Sequence, residues 1–351
     1  MNHPSDRLDI PIRRDWLARR MEPPLDPNQP IVDAHHHLFD RPGLRYLLDD
    51  YRDDLASGHD VRASVFIQAR AMYSAGAPQA MKCLGETEFA NGVRAMCAGG
   101  QFGGARVCAG IVAYADLCLG EAVRPVLEAH LARSSGHVRG IRHVACWDAD
   151  PALTNAAYPT GETMLDAPDF RSGFAELARL GLSFDAWLFF HQIPKLTALA
   201  RAFPEVPIVL DHCGGIVGIR RYSGRRHDVF PAWSSALRDL AGCPNVMVKL
   251  GGLGMRLSGF GFEGGENPPS STDLAEAWRP WMECCIEIFG SGRCMFESNF
   301  PVDKGSYSYA NGWNAMKRIA AGASSDETAD LFWRSATRFY GLSGPGAPRL
   351  A

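Results

Sequence analysis

The sequence predicts an α/β protein: a closed (β/α)8 TIM barrel over residues 30–345, preceded by an N-terminal extension over residues 1–29. Three observations carry that reading. Eight short apolar runs alternate with longer amphipathic stretches, and strands separated by helices of that length build βαβ units around a parallel sheet. Eight such units close a barrel, and 351 residues suit one. Three consecutive histidines follow the first run in place of a glycine-rich turn, which disfavours an open nucleotide-binding sheet.

The first strand is read at 31–35 and the others at 62–68, 107–114, 140–144, 183–189, 207–212, 246–250 and 293–299. Amphipathic helices are read at 85–98, 120–134, 170–180, 193–203, 232–240, 275–289 and 326–339, the last stopped near Gly341. The stretch 251–272 is rich in Gly, Pro and Ser and follows the seventh strand, where a barrel places its active-site loops.

Composition narrows the function. The net charge is −3, with 46% hydrophobic and 21% charged residues, ordinary for a globular enzyme. No Lys/Arg cluster suggests nucleic acid or an anionic membrane, so a small molecule is the expected partner. Ten cysteines without a CxxC pair read as buried free thiols in a reducing compartment. Residues 1–22 have no apolar stretch of the signal-peptide kind and no run is long enough to span a bilayer, so the expected location is cytoplasmic. Association into a homo-oligomer is a further expectation.

The strongest chemical signal is Asp33-Ala34-His35-His36-His37. Side chains alternate along a strand, so His35 and His37 share one face while His36 is expected to pack on the other. Two imidazoles so spaced can chelate a divalent cation or flank a substrate carbonyl. His212 ends the sixth strand and opens into a Gly turn, again a place where a barrel gathers catalytic groups. Asp211 is expected to point the other way.

On these residues the chain resembles the amidohydrolase-related proteins, and within them the metallo-dependent lactonase-like group, which includes 2-pyrone-4,6-dicarboxylate lactonase and sugar lactonases. The resemblance runs from about residue 30 to residue 342. It rests on Val32 to His37, Arg139-Gly140-Ile141-Arg142, Gly181 to Asp185, Leu196 to Gly214 and Phe296-Glu297-Ser298-Asn299-Phe300-Pro301. It implies catalytic roles for His35, His37 and His212, an Arg142 facing the lactone oxygens, and a Tyr46 reaching substrate from the first loop. Gln68 and Lys249 fall at matching strand ends as further substrate contacts. A second arginine used on the dicarboxylate has no counterpart near Trp147-Asp148, so recognition of that dicarboxylate is not implied.

The chain departs from the family pattern at strand eight. The family's general-base aspartate is replaced by Asn299, and an amide cannot take a proton at neutral pH. Glu297, two residues earlier, shares its face and lies one layer deeper. A buried carboxylate there is costly unless hydrogen-bonded or functional. Glu297 is therefore expected to be the base or a metal ligand, with Asn299 orienting water or substrate. An ion pair with Lys249 is the competing expectation, and Asp303 is another candidate base. His191 follows the fifth strand, where many superfamily members place a metal-binding histidine.

Two cofactor expectations stay open. Zinc or manganese could be held by His35 and His37 with Glu297 or His191. Alternatively His35, His37, His212 and Arg142 could act without metal. The leading function is hydrolysis of a lactone or similar C–O bond. A metal-dependent decarboxylase and a non-catalytic ligand-binding barrel are the alternatives. Phe39, Tyr46, Trp147, Phe260, Phe262 and Phe300 are candidate pocket aromatics, Tyr46 foremost.

Overall fold

The computed structural model describes residues 8–41 and 43–342; the expected boundaries at residues 1 and 345 lie outside them. Eight parallel strands pair in sequence order: β1 (Pro30–His36), β2 (Asp60–Ile67), β3 (Arg106–Ala113), β4 (Val138–Ile141), β5 (Ser183–Ala186), β6 (Ile208–Leu210), β7 (Val246–Leu250) and β8 (Cys294–Phe296). The cylinder closes just past β8. His37 N donates to Phe300 O (2.8 Å), Asn299 N donates to His35 O (2.9 Å), and His36 bridges Phe300 in parallel. The backbone bonds that shut the barrel thus belong to the histidine segment itself.

Strands buried on both faces read as nearly continuous apolar runs, because one face fills the barrel and the other packs under helices. Val32, Ala34, Val65, Ile67, Val209 and Met295 cluster inside, whereas Ile31, Phe66, Phe184, Leu210 and Phe296 join the larger outer cluster. The helices are α1 (Leu48–Leu55), α2 (Leu84–Ala98), α3 (Arg124–Arg133), α4 (Pro168–Leu180), α5 (Ile193–Ala202), α6 (Arg226–Ala241), α7 (Ser271–Phe289) and α8 (Tyr309–Ile319). Sequence logic is visible at their ends. Pro168 opens α4 and Gly181, with φ +64°, closes it. Ser270 accepts from Asp273 N while the Asp273 carboxylate takes Ser270 N, a reciprocal cap on α7. A last helical run (Ser325–Ala329, Asp330–Arg334, Ser335–Phe339) brings Tyr340 and Leu342 into the inner cluster, where they plug the barrel.

Helices α1 and α8 are not among those the sequence predicts. The first is short and mostly charged (Leu-Asp-Asp-Tyr-Arg-Asp-Asp-Leu). The second carries Asn311, Gly312 and Asn314, poor helix formers, and is held by tertiary bonds to the extension. Asn311 Nδ2 donates to Arg20 O (3.2 Å), Asn314 Oδ1 accepts from Leu25 N (2.7 Å), and Lys317 Nζ reaches Leu25 O and Asp26 O at 2.7 and 2.8 Å. The extension, described from Leu8, runs across α7 and α8 with Trp16 buried and its Nε1 donating to Gly265 O (3.0 Å).

Among the described residues no helix is long and apolar enough to cross a membrane. All ten cysteines are free thiols, nine of them buried and Cys118 exposed.

Candidate active site

The site is built where β1, β4, β6 and β8 run out. A β-bulge lies between Asp33 and His36, where the register against β2 slips. It lets Ala34 and His35 both face inward. Asp33 turns outward to take Ser298 N and Oγ (2.9 and 2.7 Å) and the hydroxyls of Tyr51 and Tyr309. His36 also faces out, stacked on Tyr51 at 4.4 Å, with its Nε2 3.0 Å from Ser64 Oγ; burial pushes its pKa down to about 3. His35 and His37 share the inner face with ring centroids 4.8 Å apart.

Beyond β6 the chain turns left-handed at His212 (φ +56°) and Cys213 (φ +51°), a conformation costly for non-glycine residues. The turn swings the His212 imidazole over the barrel, 4.6 Å from the His35 ring. Two glycines after β7 leave room for it. A Cβ on Gly252 would sit 2.5 Å from His212 Cγ, and one on Gly251 would sit 2.4 Å from Glu297 Cγ.

Glu297 lies beneath both rings, fully buried. Its Oε1 is 2.6 Å from His212 Nδ1 and its Oε2 is 2.9 Å from His35 Nδ1. His37 Nδ1 lies 2.7 Å from Ile67 O. A carbonyl and a carboxylate only accept, so His37 and His212 each carry their proton on Nδ1 and leave Nε2 as a lone pair. Arg142, from the end of β4, reaches His35 Nε2 with Nη1 at 3.2 Å and donates through Nη2 to Gln68 O. Burial and the nearby Lys249 hold His35 well below the usual imidazole range; burial and Arg142 do the same for His37. Both are neutral at pH 7.

Above these groups opens a cavity of about 140 Å³ whose floor is His37, Arg142, His212 and Asn299. Asn299 donates through Nδ2 to Asp303 Oδ1 (2.9 Å). Asp303 also takes Gly254 N and the Tyr307 hydroxyl (2.9 and 2.7 Å), and burial pushes it up to about 6.

Several expected placements are corrected. Tyr46 faces away from the cavity. It ends a short hairpin (Phe39–Arg41 with Leu44–Tyr46) and its hydroxyl donates to Asp54 Oδ2 on α1 (2.5 Å). His191 sits on the turn after β5, 3.1 Å from Asp148 Oδ2 and stacked on Tyr222, outside the imidazole cluster. Lys249 points inward but one layer too deep for substrate, with Asp185 Oδ2 at 2.6 Å and Asp211 Oδ1 at 3.1 Å. It therefore pairs with these acids, not with Glu297. Gln68 is fully buried and meets Arg142 through its backbone oxygen; its side-chain amide has no hydrogen-bond partner among the described residues. Asp211, expected to point away, turns into the barrel as alternation from the inward Val209 dictates; the left-handed step at His212 is what brings that imidazole over the barrel as well. Of the candidate aromatics only Phe39 lines the cavity, joined by Trp187 and Phe189, which the sequence did not single out. Asp185 and Asp211 are the functional-looking groups missed; acids inside otherwise apolar strands were the available signal.

Imidazoles clamped by a carboxylate beside a buried guanidinium, at the mouth of a (β/α)8 barrel, define an enzyme centre of the kind barrels carry at their strand ends. The chain belongs to the amidohydrolase family, whose model matches residues 32–342. It is 39% identical over 231 residues to the uncharacterized protein y4mH of Sinorhizobium fredii, covering 66% of this chain and 69% of that one. It is 27% identical over 334 residues to an L-fucono-1,5-lactonase of Burkholderia multivorans, covering 91% and 98%. Among solved structures it is similar to an amidohydrolase from Burkholderia multivorans with bound zinc, at TM-score 0.68 and 25% identity over 89% of this chain and 99% of that one.

Proposed function

We propose that this protein hydrolyses a cyclic ester, with the Glu297–His212 pair as the proton-transfer unit. The observation that carries the proposal is the 2.6 Å contact between Glu297 Oε1 and His212 Nδ1 beneath a cavity that His212 itself lines. Glu297 fixes the tautomer and stabilises the imidazolium that forms; His212 Nε2 is the atom that takes the proton from water. The family aspartate is thereby replaced without a carboxylate at the mouth, where Asn299 stands.

Water attacks the lactone carbonyl as His212 Nε2 removes its proton. Arg142 offers N–H groups to the oxyanion that develops, usually the largest single contribution in such sites. The tetrahedral intermediate collapses by breaking the ring C–O bond, and the proton on His212 passes to the leaving alkoxide, giving a hydroxy acid. Asn299 lines the floor with Nδ2 held by Asp303, a placement suited to orienting the water. The L-fucono-1,5-lactonase likeness supports the same bond class.

The residues also fit a divalent cation. His212 presents a bare Nε2 with its Nδ1 oriented from behind, while His37, also held at Nδ1, has its Nε2 3.1 Å from His35 Nε2. Donor atoms of His35, Asp211 and His212 lie within 4.8 Å of one another. Three carboxylates (Asp185, Asp211 and Glu297) stand against two cations (Lys249 and Arg142). His35, Asp211 and His212 would hold the ion, and it would supply carbonyl polarisation and a lowered pKa of bound water.

Acid release from a panel of six-membered lactones tests the proposal. Wild type should hydrolyse at least one, and Arg142→Met should lose about 10²–10³-fold in kcat/KM. No turnover of any lactone would remove it.

A further inference from the structure

Above its floor the cavity is walled mainly by hydrocarbon and aromatic side chains, among them Phe39, Val144, Leu153, Trp187, Phe189 and Leu257. Of the polar residues of that wall, two are partly engaged elsewhere. Arg41 stacks over Phe39 at 4.4 Å and donates to Ala69 O. Asn155 Oδ1 accepts from Ala157 N (2.9 Å). Tyr158 and the exposed rim residue Asp9 remain. The space is also small. At about 140 Å³ it matches a dry cavity of about 150 Å³, which holds one benzene-sized ring.

These features are at odds with a sugar lactone. A polyhydroxylated ring brings several donors and acceptors that must each find a partner once water is expelled. The four floor residues are those the lactone reading assigns to the ester group, and beyond them the wall offers only Asp9, Arg41, Asn155 and Tyr158 as polar partners. A hydrophobic wall rejects an added hydroxyl by about a hundredfold.

We infer that the substrate is a compact, single-ring lactone poor in hydroxyl groups, held by hydrocarbon contact on its flanks with its ester group on His37, His212 and Arg142. This rests on the lactone reading above and narrows it away from the sugar lactones that the fuconolactonase likeness would suggest. Leu8, from the N-terminal extension, supplies part of the same apolar wall.

The test compares two six-membered lactones that differ in their ring substituents: δ-hexalactone, with one methyl group, and L-fucono-1,5-lactone, with its hydroxyls. Each kcat/KM is divided by the lactone's own hydroxide-catalysed rate, which removes intrinsic reactivity. The expected ratio favours δ-hexalactone by about a hundredfold or more. Leu257→Asn, which adds a polar group to the wall without touching the floor, should cut that ratio at least tenfold, mainly through KM. Equal turnover of the two, or preference for the sugar lactone, would overturn the inference and leave lactone hydrolysis standing. Turnover of neither would overturn both.

Discussion

Two tiers of charged and polar side chains lie along the barrel axis, and they are built to different ends. In the lower tier Lys249 touches Asp185, Asp211 and His35, while the Tyr340 hydroxyl donates to Asp185 Oδ2 (2.7 Å). All are shut off from the cavity, and opposite charges face one another. Burial opposes the charge on Lys249, but Asp185 and Asp211 outweigh it and raise its pKa. For Asp211 burial is outweighed by Lys249, so its carboxyl lies below its ordinary value; Asp185 is pushed by burial up to about 6. In the upper tier His37, Arg142, His212 and Asn299 each reach the cavity. There His212 Nε2 is left for a substrate, while His37 Nε2 meets His35 Nε2 at 3.1 Å. Groups of the same chemistry make a structural ballast in one tier and a reactive surface in the next, about one strand step away.

The largest break in this comparison should come from Lys249→Met. It strands Asp185 and Asp211 without their cation, and removing one partner of a buried pair typically costs about 3–5 kcal/mol. Urea unfolding should show that loss. His212→Asn should do the reverse: turnover falls about 10²–10⁴-fold, while the unfolding midpoint moves little because the residue borders the cavity. If both variants lost stability equally, the two tiers would not be distinct. Gly252→Ala comes next. The methyl has no room beside His212 and the position has φ +67°, so kcat should fall at least tenfold as the ring is displaced.

A buried histidine outside both tiers gives the smallest effect and a calibration. His130 lies on α3 with Nε2 2.9 Å from Tyr114 O and Nδ1 2.8 Å from Thr87 Oγ1; burial pushes it down to about 4. The unfolded chain takes up this proton near pH 6.5 and the folded chain only near pH 4. Its contribution to stability is therefore complete above pH 6.5 and is lost as pH falls toward 4. The stability gap between wild type and His130→Gln, read from urea midpoints, should shrink across that window. A constant gap would contradict the assignment.

Much of this was legible in the chain. All eight strands are where the apolar runs placed them, because strands buried on both faces are mostly apolar, with few interruptions such as Asp33, Asp185 and Lys249. Their ends were not. The runs around Val144, Phe189, His212 and Asn299 continue as sequence after the ladder stops, since those residues peel off to line the site. His35, His37 and His212 meet as period-2 alternation and the barrel rule suggested. Asp211 was misplaced because its direction was read from His212, and no local signal announces that His212 is left-handed; alternation from Val209 sends Asp211 inward. Tyr46 was placed by likeness alone, and the hairpin that turns it toward Asp54 leaves no mark in a single sequence. Helix α8 escaped because its stability comes from the extension gripping Asn311 and Asn314, not from its own propensities.

The central claim is that a buried carboxylate, out of reach of substrate, makes His212 the base. Turnover of a lactone by Glu297→Gln measures this most directly. The amide keeps the shape but cannot hold the Nδ1–H tautomer as a carboxylate does, so kcat/KM should drop about 10²–10⁴-fold with the unfolding midpoint near that of wild type. Wild-type turnover in a folded Glu297→Gln protein would contradict the account.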